Sequence, residues 1–373
     1  MRFNWKVLVL GFLQVMMWSE AASSAPAFIF ESRGMKLQRE LVETKAGPIW
    51  AMTFLPDGAL LLTLKSGEIK KYDVEKKTFA SVGRVPNVAV HGQGGLLDVV
   101  LSPGFTKDRK VFLSYSKQLA NEEYTTALGV GTFDGKALRD FRELFVARGS
   151  SPRGEHFGGR IIAEPDALWL SVGERGERDN AQDLKNHLGK ILRLTWDGKP
   201  HPDNPFAGRK DALPEIYSFG HRNPQGLVKH PITGEIWAHE HGPRGGDEIN
   251  IIKKGSNYGW PKATFGREYW GPAIGRPKIP GAEEPIHQWT PSIAPCGMVI
   301  YNGEALPGWK GLVIAGSLAK THLNLTEIRS NQMVAEERLF AKDGLRVREV
   351  EQSPTGDIWY ATDDGSLFRI RKM

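Results

Sequence analysis

Residues 52–72 read MTFLPDGALLLTLKSGEIKKY, and residues 350–370 read VEQSPTGDIWYATDDGSLFRI. Laid over one another on the turn, Pro56-Asp57-Gly58 meets Pro354-Thr355-Gly356, and Ser66-Gly67 meets Asp364-Gly365. Each stretch is an apolar strand, a Pro-x-Gly turn, a second strand rich in Leu, Ile, Trp or Tyr, and another glycine turn. Weaker copies lie at residues 99–115, 161–173, 227–239 and 298–323. The copies are spaced by roughly 50 to 75 residues, room for four strands and their loops. A strand–turn–strand unit repeated at that period predicts an all-β fold, a six-bladed β-propeller. The first and last copies are the most alike, as they would be if the two ends of the chain closed one ring. Helical signal is confined to a short stretch around residues 181–192.

Composition agrees with many short strands. The 373 residues include 42 Gly, 23 Pro and 11 Trp, a turn-rich and aromatic mixture. Apolar residues at 40% and charged residues at 25% exclude wholesale disorder, a collagen-like repeat and a coiled coil. The net charge of +6 comes from 49 basic against 43 acidic residues without a Lys/Arg block, so no nucleic-acid partner is expected. A single cysteine, Cys296, excludes an internal disulfide framework and a Cys-rich zinc site.

The N-terminus begins Met-Arg-Phe-Asn-Trp-Lys, continues with a twelve-residue apolar run from Val7 to Trp18, and then turns to small residues at Ala21, Ala22, Ser23, Ser24 and Ala25. That order is the pattern of a secretory signal peptide over residues 1–25, cut after Ala21 or Ala25. As a helix the apolar run spans roughly 18 Å, short of the ~30 Å hydrocarbon core. The expectation is a secreted, periplasmic protein without stable membrane insertion, whose residues 26–373 form one propeller domain.

Between the strands lie polar, glycine-rich segments with more chemistry than turns require. In His91-Gly92-Gln93-Gly94-Gly95, the glycines allow close backbone approach and Gln93 offers both donor and acceptor; a tight strand entry is the alternative. In His156-Phe157-Gly158-Gly159-Arg160, the imidazole suits a general base, or else a loop histidine bonded to backbone. In Gly220-His221-Arg222-Asn223-Pro224-Gln225, Arg222 offers a planar fork for a carboxylate or developing oxyanion, and Asn223 an amide. Residues 240–261 combine glycine and proline carbonyls with Asp247 and Glu248, oxygen donors of the kind calcium takes, or else a charged turn before a strand. His239 and His241 alternate on one strand face, but no third ligand accompanies them, which argues against zinc. Arg346-Val347-Arg348 aims two guanidinium groups one way, either as a two-pronged anion site or as a solvated edge.

Taken in order, HGQGGLLDV, HFGGR, GHRNPQGL, EHGPRGGDEINII followed by NYGWP, and the closing RVREV with SPTGDIW resemble one family. They look like the soluble aldose sugar dehydrogenases that use pyrroloquinoline quinone (PQQ), related to soluble glucose dehydrogenase. The resemblance implies a six-bladed propeller with PQQ at one end of the central channel. It implies His156 as the base that takes the proton of the sugar's anomeric hydroxyl while hydride passes to PQQ, giving a lactone. Arg222 and Asn223 would bind the quinone oxygen and adjacent ring, Gln93 would contact the cofactor, and Arg346 and Arg348 would pair with its carboxylates. The carbonyls of Gly242 and Pro243 would hold Ca2+ (calcium), with Glu248 and the Tyr258 backbone as further ligands, and Tyr269 with Trp270 would wall the cofactor or sugar. The partners implied are an aldose sugar substrate and an electron acceptor whose identity is unknown from the sequence.

One position departs from the pattern. Soluble glucose dehydrogenase places a cofactor lysine directly after a Ser-Leu pair; here Ser317-Leu318 is followed by Ala319, which takes that place in the cofactor site, and Lys320 comes one residue late. On a strand a one-residue shift turns a side chain to the opposite face, so Lys320 is not expected to replace the contact. Two other readings compete with the dehydrogenase: a calcium-dependent propeller lactonase or esterase, and a non-catalytic binding propeller. The first has no need for Arg222, Arg346 and Arg348 together, and the retained His156 and Arg222 weigh against the second.

Overall fold

A computed structural model describes residues 27–44 and 46–373; the signal-peptide reading of residues 1–25 lies outside the described residues. Six antiparallel sheets follow one another around a central channel, five of four strands and one of five. The innermost strands of successive blades are Ile49–Phe54, Leu96–Leu101, Gly158–Ala163, Pro224–Lys229, Pro295–Ile300 and Val347–Gln352. Each packs on the next, and the last packs on the first, so the ring is closed. Closure is made by pairing the two ends of the chain: the N-terminal strand Met35–Glu43 runs antiparallel to the C-terminal strand Leu367–Lys372 within the sixth blade. The fold is the six-bladed β-propeller that the repeats predict, and the six copies fall one to a blade.

The repeats become a ring because each blade is covered on both faces. In the second strand of the first blade, Leu60–Leu64, all five residues are buried. Its alternate side chains enter different seams: Leu60, Leu62 and Leu64 join Trp359 and Leu367 of the sixth blade, while Leu61 joins Leu96 and Leu113 of the second. Strands flanked on both faces read as continuous apolar runs. Each of the other seams has its own apolar cluster. Truncating a side chain such as fully buried Leu62 to alanine would cost about 2–5 kcal/mol. Cys296 is buried and free.

A second repeated feature positions the site. Every inner strand carries one extra residue near its N-terminal end, where pairing with the second strand slips: between Ile49 and Ala51, Leu96 and Val99, Gly158 and Ile161, Pro224 and Gly226, Cys296 and Met298, and Val347 and Glu349. A bulge of this kind breaks the strict alternation and re-aims side chains. Trp50, Leu97, Gln225 and Arg348 occupy bulges and line the channel at that end.

The stretch at residues 181–192 is not a helix. A 3-10 turn covers Arg178–Gln182, and Lys190–Leu194 is a strand of the third blade, held by pairing on both sides. Among the described residues no helix is long and apolar enough to cross a membrane.

Candidate active site

The glycine-rich segments gather where the inner strands begin. An inner cavity of about 320 Å3 is lined by Gln93, Asn223, Ala319, Arg346 and Arg348, and also by Lys65 and Asp363. An outer mouth of about 880 Å3 is lined by His156, Glu174, Arg222, Tyr269 and Trp270. Gln93 lies in both walls. Tyr269 and Trp270 are largely exposed and border only the mouth, so Tyr269 stands on the outer side rather than in the inner cavity.

His156 is held by its backbone in the left-handed region, φ 54°, which a non-glycine residue occupies at a cost of order 1 kcal/mol. Its N–H donates to Gln93 Oε1 at 3.0 Å, and its carbonyl accepts from Arg175 N at 3.3 Å. The same carbonyl crowds Gly173, where an added Cβ would lie 2.0 Å from it, so only glycine fits there. His156 Nδ1 lies 2.5 Å from Glu174 Oε1. Burial, with Arg222 next in weight, holds the imidazole pKa well below its ordinary value. Burial pushes Glu174 up to about 7 despite its neighbouring arginines. Above that pH the pair is a neutral imidazole donating Nδ1–H to a carboxylate, with Nε2 left as an acceptor.

Arg222 is fixed on several sides. Its backbone N–H donates to Glu240 Oε2 at 2.6 Å, and its Nη1 donates to the carbonyls of His241 at 3.0 Å and Gly242 at 3.3 Å. Its guanidinium carbon stands 5.3 Å from the Trp260 ring centre. Glu240 also accepts from His221 Nδ1 at 2.9 Å, and His221 stacks on Tyr258. Asn223 Oδ1 accepts from Gly158 N at 3.1 Å and Gln225 Nε2 at 3.2 Å, while its own Nδ2 has no hydrogen bond among the described residues.

Arg346 and Arg348 do reach one point. Their Nε atoms each donate at 2.7 Å to the two oxygens of Asp363. Arg346 Nη1 also donates to Leu318 O at 2.7 Å. Ala319 lines the cavity, whereas Lys320 is exposed and outside its wall. The physical reason differs from strand alternation: the strand Val313–Ser317 has ended, and residues 318–320 form the bend beyond it.

Around the oxygen-rich segment a small space of about 10 Å3 is lined by Glu240, Gly242, Glu248 and Tyr258. Pro243 is not in that wall; its ring packs against Gly266. Asp247, read from the sequence as a carboxylate for a cation, is instead consumed structurally. It accepts from Gly242 N, Ser292 Oγ, Ile293 N and Ala294 N, pinning the loop against the next blade. His239 and His241 each spend Nε2 on a backbone carbonyl, of Gly297 and Pro295. Among the described residues no group of three or more His, Cys, Asp or Glu could hold a metal.

Sequence reasoning missed Glu174, Lys65, Asp363 and Glu240. Each is a charged residue at the exit of a strand whose residues are buried, a place where charge has no packing purpose; that was the available signal.

Fold and site together define a propeller oxidoreductase, with a cationic cavity at one channel end and a histidine–carboxylate pair at its mouth. Residues 46–369 match the family described as Glucose / Sorbosone dehydrogenase, and the chain belongs to it. It is 39% identical over 334 residues to aldose sugar dehydrogenase YliI of Escherichia coli K12, covering 88% of this chain and 90% of that protein. Its structure is similar to the apo-form of the soluble aldose sugar dehydrogenase from Escherichia coli, with TM-score 0.87, 37% identity and coverage of 90% and 100% of the two chains. It also resembles the PQQ-bound aldose sugar dehydrogenase of Streptomyces coelicolor, with TM-score 0.73, 28% identity and coverage of 90% and 98%.

Proposed function

We propose that the protein oxidises aldose sugars at the anomeric carbon to lactones, with PQQ as cofactor and calcium beside it. The observation that carries this reading is the inner cavity, where Lys65, Arg346 and Arg348 face the single carboxylate of Asp363. Arginine does not shed its proton, so such a set fits an anionic ligand, and PQQ is a planar tricarboxylate. The unpartnered amide of Asn223 adds a donor suited to a carbonyl or quinone oxygen. Bound there, PQQ supplies a quinone that accepts hydride.

The chain's own residues do the rest. His156 takes the proton of the anomeric hydroxyl on Nε2, and the Glu174 carboxylate at Nδ1 steadies the imidazolium that results. Arg222, held by two carbonyls and Trp260, presents its remaining N–H groups to an oxygen that gains negative charge. Trp270 and Tyr269 give the mouth apolar faces for a sugar ring.

Support for calcium comes from the Glu240–Glu248 pair. Among the described residues neither has an ion-paired Lys or Arg, and burial and Glu240 together push the Glu248 pKa well above its ordinary value. Asn250, whose Nδ2 approaches Glu240 at 3.5 Å and Glu248 at 3.3 Å, leaves its buried Oδ1 without a partner. The Glu240 and Glu248 carboxylates, with main-chain carbonyls of the same wall, are oxygen donors of the kind calcium takes. Export to the periplasm is proposed from the N-terminal sequence alone, and N-terminal sequencing of the mature protein checks it.

The test is reconstitution of the cofactor-free protein with PQQ and calcium, followed by dye reduction across a panel of aldoses. Sugar-dependent reduction requiring PQQ is expected; no activity with any aldose in the presence of both would overturn the reading.

A further inference from the structure

Lys65 stands where the strand Leu60–Leu64 leaves the first blade, in the KSG turn. Its main chain is tied on both sides, the N–H to Pro48 O at 3.3 Å and the carbonyl from Leu96 N at 3.2 Å. Its stem lies along Gly95, where an added Cβ would fall 2.7 Å from Lys65 Cγ. The ammonium donates to Gly92 O at 2.5 Å, beside Gln93, and the residue lines the inner cavity. Arg346 and Arg348 share Asp363, but Lys65 has no carboxylate partner among the described residues. An ammonium has three donors, and one backbone carbonyl leaves two unused. Ala319 itself carries no charge, and Lys320 lies outside the cavity wall.

We propose that Lys65 is a cofactor-binding residue that pairs with a carboxylate of PQQ, supplying from the first blade the cation that the Ala319 position lacks. This rests on the proposed function. It adds a third positive charge to those of Arg346 and Arg348, matching three carboxylates, while Asp363 keeps the two arginines parallel. A second consequence concerns order: Lys65 binds the carbonyl of Gly92 in the loop that carries Gln93, so the same ammonium couples that loop to the ligand.

The experiment is equilibrium titration of the cofactor-free protein with PQQ and with PQQ trimethyl ester, both with calcium present. Wild type, Lys65→Met, Lys65→Arg and Arg346→Ala are compared, with thermal midpoints confirming that each is folded. Lys65→Met is expected to weaken PQQ binding by about tenfold or more, and Lys65→Arg to retain most of it. The triester, which has no carboxylate charge, is expected to bind wild type and Lys65→Met alike. Lys65→Met binding PQQ as tightly as wild type, while Arg346→Ala does not, would overturn this proposal and leave the proposed function standing. Equal losses for PQQ and triester would assign Lys65 to loop support and also overturn it. Absence of PQQ binding by the wild type would remove the proposed function and this proposal with it.

Discussion

At the N-terminal ends of the inner strands the channel is lined by Lys65, Arg346 and Arg348 against the single carboxylate of Asp363. At their C-terminal ends it is lined by Asp98, Glu349 and Glu351 against Arg160, with Lys229 there already tied to Glu164. The same six strands therefore end in opposite excesses of charge. The acidic end can settle its excess internally. Burial pushes Glu349 up to about 7, and burial with Glu349 and Asp98 pushes Glu351 well above its ordinary value, so this end can reduce its charge by taking up protons. Arg160 completes that end by bonding Glu349 and Gln225 O and stacking 4.3 Å over Trp50. The cationic end has no such recourse, because guanidinium groups stay charged. Its balance has to come from a ligand, and this asymmetry separates a binding site from a structural ion cluster.

Substitutions at the two ends test the contrast. The largest effect is expected at the mouth of the cationic end: His156→Ala should lower turnover by about a thousandfold while PQQ binding persists, measured by dye reduction and titration. Unchanged turnover would remove His156 from the mechanism. Next, Arg346→Ala combined with Arg348→Ala should weaken PQQ binding by about a hundredfold, read by calorimetry, because Asp363 is then left as an unpaired repulsive charge.

A smaller, pH-dependent effect belongs to Glu174. Protonation below about 7 makes its carboxyl the donor to His156 Nδ1, which moves the imidazole proton to Nε2 and blocks the base. The profile of kcat/KM should therefore rise through pH about 7, and Glu174→Gln should lower kcat by about tenfold and lose that limb. A limb that survives the substitution would point to another group.

The smallest effect is expected at the opposite end. Glu351→Gln replaces a carboxyl whose pKa burial holds well above its ordinary value with a neutral amide of the same shape, so PQQ binding should not change and stability should move by less than about 1 kcal/mol. The wild-type midpoint should nevertheless depend on pH. Glu174 and Glu349 have folded pKa values raised from 4.5 to about 7, so their contribution is present below 4.5 and lost as pH rises through 7. Replacing both by glutamine should remove that part of the midpoint's pH dependence, and a pH profile of the midpoint unchanged in the Glu174→Gln/Glu349→Gln variant would contradict that assignment.

The propeller was legible because its evidence is local: a Pro-x-Gly turn and the strands beside it identify a blade without knowledge of its neighbours. The six copies mark strand pairs of the six blades, and the likeness of first and last anticipates the Met35–Glu43 to Leu367–Lys372 closure. The glycine-rich loops were legible as a set because they precede inner strands or, like residues 241–246, follow the antiparallel strand beside one, and so meet at one end. The bulges were not legible. Arg346 and Arg348 look like simple alternation, yet Arg348 occupies the slip between Val347 and Glu349. Asp247 misled because its four donors arrive from its own loop and from residues 45 to 47 positions away. Glu174 and Lys65 were invisible as partners, since the groups they meet lie 18 and 27 positions off along a folded path.

The most direct test of the central claim is an equilibrium titration of the cofactor-free protein with PQQ, with and without calcium, at neutral pH. The account predicts one PQQ per chain, bound more tightly with calcium and about a hundredfold more weakly in the Arg346→Ala/Arg348→Ala variant. No binding in the presence of calcium, or binding undiminished by loss of both arginines, would contradict it.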